Sequence, residues 1–281
     1  MLPLQTSRVL NRLVLNVALP ALVLRAVHGL VFSWGLCVAA TLFWVVFLGA
    51  WGVFSAWGRR GLPIGSAAAL TLTAGLGNTA FIGLPVVEGI LGSHAIGTAV
   101  VLDQVGSFVA LATLAQSVIA GAQALPPTVG ERLGRILRFP PFIALVAGIA
   151  LRQVTFPVWV LTPLGRMADM VTPLALLSVG FQWEVRAIRE HGLRLWVGLG
   201  YKLVAAPALV ASLLWIFHQR GLVWHVATLL AATGPMVTAG MLASEHELDP
   251  PLASAMVGVG TILGFFTLAG WAWFVGRVPL R

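Results

Sequence analysis

Charge is what this sequence has least of. Of 281 residues only 9% are charged, with nine acids, one lysine, one tyrosine and one cysteine. The lone Cys37 has no partner for an intrachain disulfide. No phosphate loop is present, which argues against ATP-driven work by this chain alone. There is no metalloprotease helix signature, no Gly-x-Ser-x-Gly elbow and no paired-Asp motif for a metal-bound diphosphate, so no enzyme class finds its constellation here. What the chain does have is apolar surface: 59% hydrophobic residues, 11 tryptophans and a mean hydropathy of +0.95. That is the composition of an integral membrane bundle, not of a soluble domain. The net charge of +8 does not call for nucleic acid, because the arginines gather in short loops between apolar segments, as membrane anchors do.

At about 20 residues per crossing, the sequence predicts nine spans: 8 to 29, 33 to 57, 62 to 92, 96 to 119, 139 to 153, 158 to 181, 194 to 217, 222 to 245 and 250 to 276. The fifth is short and could be a tilted or partial crossing. No cleavable signal is expected, since the first apolar segment holds Pro20 and leads directly into further spans. Alternate loops put Arg8, Arg12, Arg59, Arg60, Arg132, Arg135, Arg138, Arg186, Arg189 and Arg194 on one side. Arg25, Arg152, Arg166, Arg220, Arg277 and Arg281 fall on the other. The arginine-richer side is expected to be cytoplasmic, which puts the N-terminus inside and the C-terminus outside.

The third span carries its own interruption. Its middle reads Gly75-Leu76-Gly77-Asn78-Thr79-Ala80-Phe81-Ile82-Gly83-Leu84-Pro85, an amide and a hydroxyl between glycines at mid-membrane depth. Backbone freed there is tolerated only where protein or a watery cavity satisfies it. The eighth span is interrupted likewise at Thr233-Gly234-Pro235-Met236-Val237-Thr238. A pair of broken spans is the best sequence pointer to a transporter's binding site. Each break creates a helix N-terminus whose free N–H groups favour an anion by about 0.3–1 kcal/mol, and up to ~2 when desolvated. Gly77, Asn78, Thr79, Pro235, Met236 and Thr238 are therefore the candidate substrate-binding residues, with Asn78, Thr79 and Thr238 orienting a carboxylate. The alternative is that these polar groups merely satisfy the freed backbone, and the two roles are compatible.

The two breaks sit in segments that echo each other. Val17-Ala18-Leu19-Pro20-Ala21-Leu22 resembles Met170-Val171-Thr172-Pro173-Leu174-Ala175, Arg60-Gly61-Leu62 resembles Arg220-Gly221-Leu222, and Ile96-Gly97-Thr98-Ala99 resembles Leu252-Ala253-Ser254-Ala255. With the first break entered from inside and the second from outside, the order describes inverted repeats.

Gly77 to Pro85, Val101-Leu102-Asp103-Gln104, and Gly234-Pro235-Met236-Val237-Thr238 followed by Leu242-Ala243-Ser244-Glu245 resemble the bacterial branch of the auxin efflux carrier family, which includes malonate-type carriers. The resemblance covers nearly the whole chain. It implies an all-α polytopic membrane fold of ten helices in two inverted five-helix repeats, akin to bile acid/sodium symporters and sodium/proton antiporters. In that fold a scaffold moves against a transport part in which two discontinuous helices cross at the substrate. Here the family's first helix is missing, because the chain opens with Leu10-Asn11-Arg12-Leu13-Val14-Leu15, which resembles the start of the second. Either the chain is a nine-span variant or its start site is wrong. The corresponding division is 8–29 and 139–181 for the scaffold, 33–120 and 194–276 for the transport part, and 121–138 for a cytoplasmic linker. A homodimer through the scaffold follows from the same resemblance.

Ionisable residues deep in a span cost about 2.5–3.5 kcal/mol on insertion scales and are functional candidates by default. Asp103, with Gln104 beside it, lies deep in the fourth span, and Lys202 lies deep in the seventh beside Tyr201. A lysine's pKa can move where an arginine's cannot. Asp103, Gln104 and Lys202 are the candidate ion- or proton-coupling residues, either as a titrating Asp103–Lys202 pair or as a static neutralised one. Glu88 reads as rim, Asp169 as a partner for Arg166 or for a neighbouring helix, and the acidic turn Glu245 to Asp249 as an ordinary loop end. The expected function is a secondary carrier of small organic anions such as mono- or dicarboxylates. It would work by alternating access in a bacterial inner membrane, with no cofactor beyond a coupling proton or sodium ion. A bile-acid-type symporter for larger amphipathic anions and a non-transporting receptor are the alternatives.

Overall fold

A computed structural model describes residues 9–10, 12–28, 33–123, 130, 134, 137–151, 153–180 and 192–278. Arg8, Arg132, Arg135, Arg152, Arg186, Arg189 and Arg281, used above to assign sides, lie outside the described residues, as does most of the 121–138 linker. Among the described residues every regular element is a helix: α1 Val14–Val27, α2 Trp34–Gly58, α3 Ile64–Gly75, α4 Thr79–Leu91, α5 Ser93–Gln123, α6 Pro140–Ala150, α7 Val158–Asp169, α8 Val171–Gly180, α9 Gly192–Ile216, α10 Leu222–Ala231, α11 Val237–Glu245 and α12 Pro250–Gly276. Four of these, α2, α5, α9 and α12, are each long and apolar enough to cross a membrane unaided. The chain is an all-α polytopic membrane protein. α3 with α4 and α10 with α11 are the halves of the two spans read as interrupted. The expected fifth span is an 11-residue helix, about 17 Å long at 1.5 Å per residue and so well short of a ~30 Å hydrocarbon core.

Local sequence explains several departures from plain α-helix. Wide π-helical turns occupy Val14–Ala18, Thr79–Gly83 and Tyr201–Ala205, and each ends two residues before a proline: Pro20, Pro85 and Pro207. A proline lacks the N–H of its own turn and its ring presses on the carbonyl four residues back, so widening the preceding turn relieves the clash. Between α7 and α8 the chain breaks at Met170, three residues before Pro173.

Packing brings α1, α6 and α7 together, with Arg25 of α1 paired to Asp169 of α7 at 3.4 Å. Of the two partners offered for Asp169, the one across helices is the one formed. A second assembly centres on α2, which packs against α3, α5, α9 and α10, and on α12, which packs against α3, α9, α10 and α11. The two assemblies touch where α8 meets α4 and where α1 meets α5. At the first contact Thr172 donates to Glu88 at 3.1 Å. Near α6, Phe108 of α5 stacks on Phe139 with centroids 3.8 Å apart.

Candidate functional site at the helix crossing

α3 ends because Leu76 turns extended, at φ −118° and ψ 130°, and α4 restarts after Asn78. α10 ends at Ala231, and α11 restarts after an extended Met236. The two gaps lie against each other. Asn78 N–H donates to the Gly234 carbonyl at 2.9 Å, and Met236 N–H donates to the Leu76 carbonyl at 3.0 Å. Between these bonds Gly77 and Pro235 face one another as a single antiparallel pair. In such a ladder the central pair exchanges no hydrogen bond of its own, so a proline can occupy it at no cost in donors. Four backbone groups freed by the two breaks thus satisfy each other.

Close approach is built from small residues. A Cβ on Gly77 would stand 2.7 Å from Thr233 Oγ1 and 2.9 Å from Lys202 Nζ. One on Gly234 would meet the Gly260 carbonyl at 2.9 Å, and one on Gly260 would meet the Pro235 ring at 2.6 Å. One on Gly264 would stand 3.1 Å from the Gly234 Cα. Gly260 and Gly264, spaced four apart on α12, form the groove that receives the second break, as small-xxx-small patterns do between membrane helices. The sequence reading passed over this pair, although the spacing was there to be seen.

The polar side chains divide by whether they are used. Thr79, the first residue of α4, donates to Asp103 Oδ1, and Gln104 Nε2 donates to Asp103 Oδ2 at 2.6 Å. Asp103 therefore bonds to the first residue of a new helix, whose N-terminal end favours negative charge. Lys202 Nζ donates to the Ala231 carbonyl at 2.9 Å, at the C-terminus of α10, where a cation is favoured. Among the described residues no ion pair joins Asp103 to Lys202; each charge serves one of the helix ends that the breaks expose. Both sit on π-helical turns, Leu102–Phe108 and Tyr201–Ala205, irregularities that are frequent at functional sites.

Three buried polar atoms among the described residues have no hydrogen-bond partner: Asn78 Nδ2, Gln104 Oε1 and Ser107 Oγ. Leaving such a group unmade costs about 1–3 kcal/mol. The Asn78 side chain makes no cap bond to its own helix. The four backbone groups paired across the two breaks do so without it. Ser107, one turn beyond Asp103, escaped the sequence reading because serine in a membrane helix ordinarily bonds back to its own backbone.

The crossing is packed. Gly77, Asn78, Thr79, Pro235 and Met236 are buried. Thr238 is exposed, at the head of a stripe that continues through Met241 and Glu245 of α11. The sequence reading grouped Thr238 with the other five, and the structure sets it on the accessible flank of the same junction.

A family described as membrane transport protein matches residues 1–125 and 130–272. A transporter of Methanothermobacter thermautotrophicus whose role is uncharacterised is 28% identical over 280 residues, covering 95% of this chain and 89% of its own length. An uncharacterised transporter of Methanocaldococcus jannaschii is 24% identical over 211 residues, covering 73% of this chain and 68% of its own. With the match extending over both breaks and nearly all of the sequence, the chain belongs to the membrane transport protein family of auxin efflux carriers.

Proposed function

We propose that this transporter is a secondary carrier of small organic anions, mono- or dicarboxylates in size, with its site at the crossing of the two interrupted spans. The observation that carries the reading is the buried Asn78 amide, which lacks a protein partner beside two new helix N-termini. A carboxylate there accepts from Asn78 and faces the positive ends of α4 and α11. Thr238 lies on its way in. The crowded, glycine-lined junction favours a short anion over a bulky amphipathic one.

Coupling is assigned to Asp103, held by the Thr79 hydroxyl and the Gln104 amide, together with Lys202 at the end of α10. A buried carboxylate held by one hydroxyl and one amide N–H suits loading by a proton or a sodium ion. Thr79 lies next to Asn78, so loading of Asp103 and binding of the anion act on the same helix start. In this reading α1, α6, α7 and α8 form the scaffold through which a homodimer assembles. The other helices move, as inverted-repeat carriers do, and the N-terminus is cytoplasmic in a bacterial inner membrane.

Proteoliposomes test the proposal. A carrier gives saturable uptake of short carboxylates driven by a proton or sodium gradient. Binding without flux would favour a receptor, and flux insensitive to Asn78→Ala would move the site elsewhere.

A further inference from the structure

A second polar site lies away from the crossing, at the membrane end where α2 stops and α3 and α9 begin. A cavity of about 510 Å³ is lined there by Trp57, Arg60, Gly61, Leu193 and Arg194, among others. Arg60 is exposed and Arg194 half-buried. Among the described residues neither guanidinium meets a carboxylate. Arg194 instead donates to Ser66 Oγ at 3.5 Å, while Ser66 donates onward to Asp249 at 2.6 Å. That chain of contacts aims Arg194 and leaves most of its donors available. Two guanidiniums in one cavity, with the N-termini of α3 and α9 nearby, form an anion site of the fork-donor kind that suits phosphate oxygens.

The apolar surroundings name the source of that phosphate. Ile64 is 66% exposed, Leu193 69% and Trp196 52%, so the rim of the cavity continues into surface that acyl chains cover in a bilayer. Trp57 lines the cavity itself, and tryptophan suits the headgroup level. Basic cavities between membrane helices hold anionic headgroups in this manner.

We propose that this cavity binds the phosphate headgroup of an anionic membrane lipid and anchors the α2–α3 turn to the start of α9. The proposal is independent of the transported substrate. It is tested on the delipidated full chain by thermal shift in titrations with phosphatidylglycerol, phosphatidylcholine or inorganic phosphate. The expected result is a saturable stabilisation by phosphatidylglycerol alone. Arg60→Gln and Arg194→Gln each weaken its half-maximal concentration by about tenfold, the cost of one charge-assisted bond. Arg59→Gln removes the same charge outside the cavity and keeps the wild-type response. Arg60 is exposed, so its variant folds even if the Arg194 variant does not. Equal stabilisation by phosphatidylcholine, or an unchanged titration in Arg60→Gln, overturns the site. A matching shift with inorganic phosphate, lost in Arg60→Gln, overturns the lipid assignment in favour of a soluble anion.

Discussion

The two interruptions do the same thing to the backbone by different means. The first, Leu76 to Asn78, is surrounded by chemistry: an unpartnered amide, a hydroxyl committed to Asp103, and an ammonium approaching Gly77. The second, Ala232 to Met236, is held by shape, with Gly234 and Pro235 pressed into the Gly260 and Gly264 groove of α12. On the proposed reading, the first gap serves recognition and the second serves support. Substitutions in the second should therefore act on stability, and substitutions in the first on binding.

The largest effect is expected from Gly260→Val. Its side chain enters the Pro235 ring and the Leu199 side chain, both of them buried. Overpacking of this kind costs about 1–3 kcal/mol, occasionally more. Melting of the purified protein should shift down by several degrees and transport should fall with it. An unchanged melting temperature would break the division between support and recognition.

Asn78→Ala should behave in the opposite way. Removing an unpartnered buried amide relieves a desolvation cost of roughly 1–3 kcal/mol, so melting should hold or rise. Substrate affinity should drop at least about tenfold, the equivalent of ~1.4 kcal/mol. Loss of stability with retained affinity would mean that the amide serves the backbone after all.

Lys202→Met sits between the two cases, since the lysine donates to Ala231 on the second span and crowds Gly77 on the first. It should lower both melting and affinity, the latter by less than Asn78→Ala. Asp103→Asn sharpens the same contrast: the carboxamide can still accept from Thr79, so substrate binding and exchange should persist while gradient-driven accumulation disappears. Intact accumulation would assign Asp103 a purely structural role.

The smallest effect is expected at the exposed flank. Thr238→Ala removes one of several donors from an accessible position, and a loss of affinity of about two- to fivefold is expected from one neutral hydrogen bond. A loss as large as that of Asn78→Ala would make α11 an equal partner in recognition.

Much of this arrangement is legible in the sequence. Glycine, asparagine, threonine and proline clustered within a few residues of an apolar span marked both gaps, because such a cluster combines helix breakers with polar groups at mid-membrane depth. The charged residues worth attention were also legible, because a bilayer makes buried charge expensive. Their partners were not. Asp103 and Lys202 suggest a pair when read along the chain, but helix rotation decides which way each points, and in the structure each turns to a different helix end. The π-helical turns at Leu102–Phe108 and Tyr201–Ala205 contribute to that rotation, and a strict 3.6-residue period has no place for them. The exposure of Thr238 and the groove formed by Gly260 and Gly264 are properties of helix pairs, which one strand of sequence specifies only through spacing.

The central claim is that the amide of Asn78 is held in reserve for an anion. Uptake of short carboxylates into proteoliposomes, compared between the wild-type protein and Asn78→Ala at equal folded protein, tests it most directly. The account predicts saturable, gradient-driven uptake in the former, and at least about tenfold weaker apparent affinity with undiminished thermal stability in the latter. Equal uptake by both proteins would contradict it.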